Sequence, residues 1–302
     1  MSRRNKGRNI HGIVLLDKPP GYSSNQALQK VRWLFDARKA GHTGSLDPFA
    51  TGMLPICLGE ASKTAGLMLD ASKSYQARAW LGTSTSTGDI EGDVTREMPV
   101  PELGEGQINT VFAQFQGDIE QVPPMYSALK HEGQPLYKLA RAGQEVERKA
   151  RTVSIHSLEL LRWASPVLEF RVYCSKGTYV RTLAEDIAEK LGCCAHLKAL
   201  RRLTVEPFEE KDMRSLEELE SRAEAETIDR CLLPVDAGLA DWPRVNLGQD
   251  EEIRFSHGNP VPHTPGLPGP VRVYGPREHL LGLGEILPDQ SLKPSRIMHL
   301  HG

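Results

Sequence analysis

Apolar residues along the chain fall into two spacings, and the elements follow from where each spacing holds. Residues 12–16 (GIVLL) form a continuous apolar run closed by Asp17-Lys18-Pro19-Pro20-Gly21, which predicts a short buried strand ending in a turn. Leu28, Val31, Leu34 and Phe35 then keep helical spacing, with Ser23 or Ser24 placed to cap that helix. Residues 41–52 read as a glycine-rich loop, residues 75–81 as a strand and residues 82–93 as a polar loop. A helix is predicted over residues 103–115 and an alternating strand over residues 168–174. Thr178 offers an N-cap to a further helix with Val180, Leu183, Ala184, Ile187, Ala188 and Leu191 on one face, stopped by Gly192. Residues 215–228 predict an acidic surface helix.

Two segments break this pattern. Residues 124–151 follow Pro123-Pro124 and are long, basic and weakly periodic, which inside a compact domain points to a functional insertion. From Trp242 onward Pro and Gly are dense around short apolar runs at residues 271–274 and 280–286. That change predicts a small β domain at residues 241–302 beside a larger one at residues 1–240.

Composition narrows the class. Of 302 residues, 39% are hydrophobic and 25% charged, the balance of a globular protein with a sizeable core. No run approaches the roughly 18 apolar residues of a membrane span. The basic start MSRRNKGRNIHG is not followed by an apolar stretch, so a cytoplasmic protein is expected. Cys57, Cys174, Cys193, Cys194 and Cys231 have no CxxC spacing and read as reduced thiols, mostly core filler. The net charge of −2 hides an asymmetry, because residues 206–230 hold 10 acidic and 4 basic side chains, leaving +4 elsewhere. Residues 125–151 and 176–202 each hold 6 basic and 3 acidic side chains, a distribution that fits a polyanion-binding face or a plain solvated one.

The segment Gly41-His42-Thr43-Gly44-Ser45-Leu46-Asp47-Pro48-Phe49-Ala50-Thr51-Gly52 carries the densest candidate chemistry. Its glycines permit close approach of a ligand, and Pro48 biases Asp47 away from helical backbone, so one carboxylate can be presented in a fixed pose. Asp47 capping its own turn is the competing local reading. The loop lacks a Walker-type Gly-Lys-Ser/Thr ending, and the chain has no HExxH, EF-hand loop or GxSxG elbow, so metal, nucleotide and serine-hydrolase readings lack support.

GHTGSLDPFATGMLP resembles the catalytic motif of the bacterial tRNA pseudouridine-55 synthase (TruB) family. Residues 12–25 (GIVLLDKPPGYSSN) resemble its first motif, Lys73-Ser74-Tyr75 its active-site tyrosine segment, and residues 176–186 and 200–203 its later motifs, all in order. The resemblance implies a pseudouridine synthase fold, α+β, with a mixed, largely antiparallel central sheet, flanking helices and a small C-terminal PUA-like β domain. It implies isomerisation of uridine 55 in the T loop of tRNA, by base flipping and with Asp47 as the catalytic carboxylate, either nucleophile or base on the ribose. Arg181 becomes its ion-pair partner, Tyr75 the stacking partner of the uracil that helps the C5 proton leave, Leu200 the apolar pocket wall and His42 the group that fills the vacated space. Lys18, Pro20 and Tyr179 take supporting places. The basic insertion becomes a clamp on the RNA stem, with Lys130, Lys138, Arg141, Arg148, Lys149 and Arg151 as phosphate contacts. No cofactor, metal or obligatory protein partner is expected, and a monomer is. A non-catalytic RNA chaperone would need the clamp but not Asp47, and a synthase directed to rRNA by guide-RNA partners is the other alternative.

Overall fold

The computed structural model describes residues 7–262 and 266–300; the first six residues of the basic start, and residues 263–265 and 301–302 of the expected β domain, lie outside it. The chain opens with β1 (Gly12–Lys18), α1 (Ser24–Leu34), β2 (Ala40–His42) and β3 (Thr51–Leu58), then α2 (Ala65–Met68) and β4 (Lys73–Leu81). A middle section holds β5 (Thr83–Thr85), β6 (Val94–Glu97), α3 (Glu105–Gln114), β7 (Gly117–Gln121), β8 (Lys130–His131), β9 (Gln134–Pro135) and α4 (Leu136–Arg141). It is followed by β10 (Arg151–Ala164), β11 (Val167–Cys174), α5 (Val180–Lys190), β12 (Ala195–Val205) and α6 (Leu216–Glu224). The C-terminal part contains β13 (Arg244–Asn246), α7 (Gln249–Ser256), β14 (Gly269–Tyr274), β15 (Leu280–Ile286) and β16 (Leu292–Ile297).

The central sheet runs β1-β3-β12-β4-β11-β10-β7, with β2 on β3. Its pairings are antiparallel except β3 with β12, so it is mixed and largely antiparallel. The second sheet, β13-β14-β15-β16, forms the C-terminal β unit. Strand β4 shows why the pattern folds this way: Lys73, Tyr75, Ala77, Ala79 and Leu81 are buried while Gln76 and Arg78 between them face out. Helix α5 buries Val180, Leu183, Ala184, Ile187 and Ala188 on the stripe its 3.6-residue period lays down. Helix α1 starts with a capping box, Ser23 Oγ accepting from Gln26 N at 3.3 Å and Gln26 Oε1 from Ser23 N at 2.9 Å.

The C-terminal sheet is tied to the larger one. Leu280, Leu283 and Met298 pack in one cluster with Ile13, Leu15 and Met53. Arg272 donates to Asp236 Oδ2 at 3.1 Å, Ala240 O at 3.0 Å and Trp242 O at 3.1 Å, while Lys63 reaches Ile297 O at 2.8 Å.

Several local expectations are corrected. The glycine-rich loop is residues 43–50, because its two ends are recruited into β2 and β3. The polar loop after β4 contains β5, which folds back on β6. The weakly periodic basic insertion holds a small hairpin, β8 paired with β9, followed by α4. Thr178 does not cap α5: its hydroxyl donates back to Ser175 O at 3.0 Å, and Tyr179 occupies the N-cap position. The long strands β10 and β12 went unread because bulges at Ile155/Ser157, Leu160/Arg162, Leu197/Ala199 and Arg202/Thr204 break their alternation. Helix α7 was also unexpected beside the C-terminal strands. All five cysteines are free and buried, as core thiols.

Candidate active site

A cavity of about 600 Å³ opens beside the middle of the central sheet. The end of β2 lines it with His42 and the loop that follows with Gly44, Leu46 and Asp47, strand β4 with Lys73 and Tyr75, and strand β12 with Leu200 and Arg202. Residues 126–129 and 177–181 close the opposite wall, including Tyr179 and Arg181. Sequence positions 42 to 202 are therefore gathered into one space by five separate parts of the chain.

Asp47 keeps 34% of its side-chain exposure, toward the cavity, although protein atoms crowd it. Arg181 engages it side-on, Nε to Oδ2 at 2.9 Å and Nη2 to Oδ1 at 3.3 Å, the two-point geometry in which a guanidinium fits a carboxylate best. Arg181 itself is 4% exposed in the first turn of α5, and every edge of its guanidinium is used. Nη1 donates to Thr87 O at 2.6 Å and Nη2 to Tyr126 O at 2.7 Å, while Asp89 Oδ2 lies 3.5 Å from Nη1. The arginine thus locks the Asp47 loop, the loop after β5 and the start of the basic insertion to one helix. Burial raises the Asp47 carboxyl above its ordinary range, the Arg181 guanidinium opposes this, and Asp89 adds to the rise.

Lys18 is fully buried and does not line the cavity; it braces the Asp47 loop from behind. Its ammonium donates to Pro19 O at 2.9 Å, Tyr22 O at 2.7 Å and Pro48 O at 3.1 Å, which satisfies all three of its protons. Burial pushes its pKa down to about 8, with Asp47 pulling the other way. Gly21 N also donates to Pro48 O at 2.9 Å, and the Ser24 hydroxyl bridges Leu46 N at 2.7 Å and Leu46 O at 3.0 Å. The first motif is therefore a splint for the carboxylate loop, and Pro20 stays exposed in its turn. Lys18→Met is expected to lower stability by about 1–3 kcal/mol, because three carbonyls lose a buried donor. Chemical denaturation checks this, and an unchanged midpoint would remove Lys18 from the splint.

Tyr75 is 8% exposed and Leu200 7% exposed, both on strands facing the cavity. Burial raises the Tyr75 hydroxyl, as it does that of Tyr179. Tyr179 is held through its backbone, with Gln121 accepting from its N–H at 2.7 Å and donating to its carbonyl at 3.1 Å. His42 sits at the cavity edge on β2; burial lowers its pKa, the nearby Arg202 adds to this, and its buried Nδ1 has no hydrogen-bond partner among the described residues.

Among the basic insertion's side chains, Lys130, Lys138, Arg141, Lys149 and Arg151 are exposed. Arg148 is held differently, donating to Pro123 O at 3.3 Å and pairing with Glu145 at 3.2 Å. Three residues of the site escaped the sequence reading. Asp89 lay in a Ser/Thr-rich polar loop with nothing to mark it, yet it is 3% exposed and accepts from Thr87 Oγ1 at 2.6 Å and Glu91 N at 3.0 Å. Lys73 and Arg202 sat inside quoted motifs but were not singled out; both are buried in the cavity wall.

Comparison with known proteins places this arrangement. The model described as TruB family pseudouridylate synthase, N-terminal domain, matches residues 32–180. That of the tRNA pseudouridylate synthase B C-terminal domain matches residues 181–240, and that of pseudouridine synthase II TruB, C-terminal, residues 243–298. A curated tRNA pseudouridine synthase B from Nitrosococcus oceani is 52% identical over 98% of this chain and 97% of its own. The protein of the same name from Ectopseudomonas mendocina is 50% identical over 97% and 96%. Among solved structures, a Cbf5-Nop10-Gar1 complex contains a chain of similar fold, with TM-score 0.74 and 25% identity, over 95% of this chain and 84% of that one. On this identity along nearly its whole length, the chain belongs to the TruB family of pseudouridine synthases.

Proposed function

We propose that this chain converts uridine 55 in the T loop of tRNA to pseudouridine, with Asp47 as its catalytic carboxylate and Tyr75, Arg181, Leu200 and His42 around the flipped nucleotide. The observation that carries the reading is the Asp47–Arg181 pair, 2.9 Å long, opening onto a cavity of about 600 Å³ with Tyr75 and Leu200 in its wall. The names of the curated relatives supply the RNA class.

The reaction breaks the N1–C1′ bond, turns the uracil and joins C5 to C1′, after which the C5 proton leaves and N1 carries a proton in its place. No electrons pass to an outside acceptor and no phosphate is spent, so the chemistry requires no cofactor. It requires a carboxylate held against the ribose, either to attack C1′ or to remove a ribose proton. Arg181 keeps Asp47 ionised and fixed in direction against the effect of burial. Tyr75 offers a face to the base, a contact worth roughly 1–3 kcal/mol in stacking. His42 fills the space left by the flipped nucleotide, which offsets part of the few kcal/mol that flipping costs. Lys130, Lys138, Arg141, Lys149 and Arg151 contact phosphates of the stem, and Arg148 holds their segment to Pro123. Lys18, Pro20 and Tyr179 support the site. The catalytic domain spans residues 1–240 and a PUA-like RNA-binding domain residues 241–302. The enzyme works as a cytoplasmic monomer without an obligatory protein partner; no described helix is long and apolar enough to cross a membrane.

The test is release of tritium from C5-labelled tRNA transcript without added metal or nucleotide, with the modified position mapped afterwards. Release from one T-loop uridine supports the reading; intact tRNA binding without release leaves an RNA chaperone instead. The acid limb of single-turnover rate against pH is expected above the ordinary Asp value of about 3.9. The sign follows from Asp47: its raised pKa means that the ionised form is lost earlier as pH falls. A limb at or below the ordinary value would show that bound tRNA or Arg181 overrides burial.

A further inference from the structure

We propose that Arg202 is a positioning residue that joins Tyr75 to the Asp47 loop, holding the tyrosine oxygen as an acceptor so that the tyrosine O–H is directed into the cavity. This rests on the reading of Tyr75 as the side chain that meets the uracil.

Arg202 stands where three central strands meet. On β12 it is in register with Tyr75 of β4 on one side and Gly52 of β3 on the other. Cross-strand partners in register carry their side chains on the same face, within contact of each other. Arg201, the preceding residue, points away and pairs with Asp17 at 2.9 Å and Glu210 at 3.1 Å. The close approach of β3 and β12 needs Gly52: its φ is +96° and an added Cβ would meet Arg202 O at 2.2 Å.

The side chain is 1% exposed and reaches the loop that carries Asp47. Nε donates to Met53 O at 2.6 Å, Nη2 to Gly44 O at 3.2 Å and Nη1 to Ser45 O at 3.4 Å. The catalytic loop therefore leans on Arg202 two and three residues before Asp47. A guanidinium has five N–H donors, no acceptor and a permanent charge. Toward Tyr75 it can only donate, so the tyrosine oxygen accepts and its own proton must point elsewhere. Burial raises the Tyr75 hydroxyl and Arg202 opposes the rise, in keeping with an oxygen turned to the guanidinium. The cavity lies on the remaining side, lined by both residues.

Two measurements test this. In ¹⁵N-arginine-labelled full-length protein, the Arg202 Nη–H resonances are expected to shift when Tyr75→Phe removes the acceptor; unchanged resonances would overturn the contact. The second is a cycle of Arg202→Lys, Tyr75→Phe and the double variant, with single-turnover tritium release and tRNA affinity both measured. Arg202→Lys is expected to slow turnover about 10- to 100-fold with affinity changed less than about 2-fold, as for a misplaced reacting group. In the Tyr75→Phe background the same change should cost clearly less, because its effect passes partly through the tyrosine oxygen. Full multiplicativity would mean that Arg202 acts only as a strut, and would overturn the proposal. The resonance experiment needs no Arg202 variant, so it stands even if Arg202→Lys does not fold. A wild-type protein without tritium release would sink the functional reading while leaving the resonance result to stand on its own.

Discussion

Asp47→Asn is expected to abolish tritium release, by a factor on the order of 10⁴ or more, while tRNA affinity stays within a few-fold of wild type. The amide keeps the shape of the carboxylate and can still face Arg181, but it neither attacks a carbon nor takes a proton at neutral pH. The loop should survive the change, because it is fixed by bonds that do not involve the Asp47 side chain. Those are the donations of Lys18 to Pro48 O, of Ser24 and Leu46 to each other, and of Arg202 to Gly44 O and Ser45 O. Filter binding and single-turnover rates on the same preparation separate the two effects. Substantial turnover in the Asn variant would move the chemistry to another group and end the role assigned to Asp47.

The second large effect belongs to Arg181. Arg181→Lys keeps the charge but supplies one nitrogen where the native side chain serves Asp47, Asp89, Thr87 O and Tyr126 O from three. Turnover is expected to fall about 100- to 1000-fold, as for loss of a preorganised charge contact. Arg181→Met goes further, leaving Asp89 buried at 3% exposure without its cation. Breaking a buried pair from one side costs about 3–5 kcal/mol, so this variant should also melt at markedly lower temperature. The acid limb of activity should rise in both, since the group opposing the burial of Asp47 is weakened or gone. An Arg181→Lys enzyme with native turnover would show that charge alone suffices and that the two-point geometry has no role.

Much of the site could be read from the sequence because it lies in short motifs whose residue types are constrained locally. Gly41 to Gly52 marks a loop of unusual backbone, Pro48 fixes what surrounds Asp47, and the stripe from Val180 to Leu191 puts Arg181 in the first turn of a buried helix. The alternation in β4 and β11 was equally plain, because each strand shows one face to the core without interruption. Strand β12 resisted for a physical reason: bulges at Leu197/Ala199 and Arg202/Thr204 flank the short regular stretch that turns Leu200 and Arg202 to the cavity, so no long period marks the strand. The basic insertion resisted for another, since β8, β9 and α4 are too short to leave a period at all.

The sequence by itself determined the chemistry on offer: one restrained carboxylate, an arginine in the first turn of a buried helix, a tyrosine on an alternating strand and a basic insertion. Only the tertiary structure decided how these are held. Asp89 becomes a partner of Arg181, Lys18 a splint behind Pro48, and Arg202 a junction among β3, β4 and β12, and none of these roles has a local signature. Hydrogen bonds and ion pairs between residues 30 to 158 positions apart depend on where strands and loops meet. Local pattern sets the elements, and the packing of one element on another selects the partners.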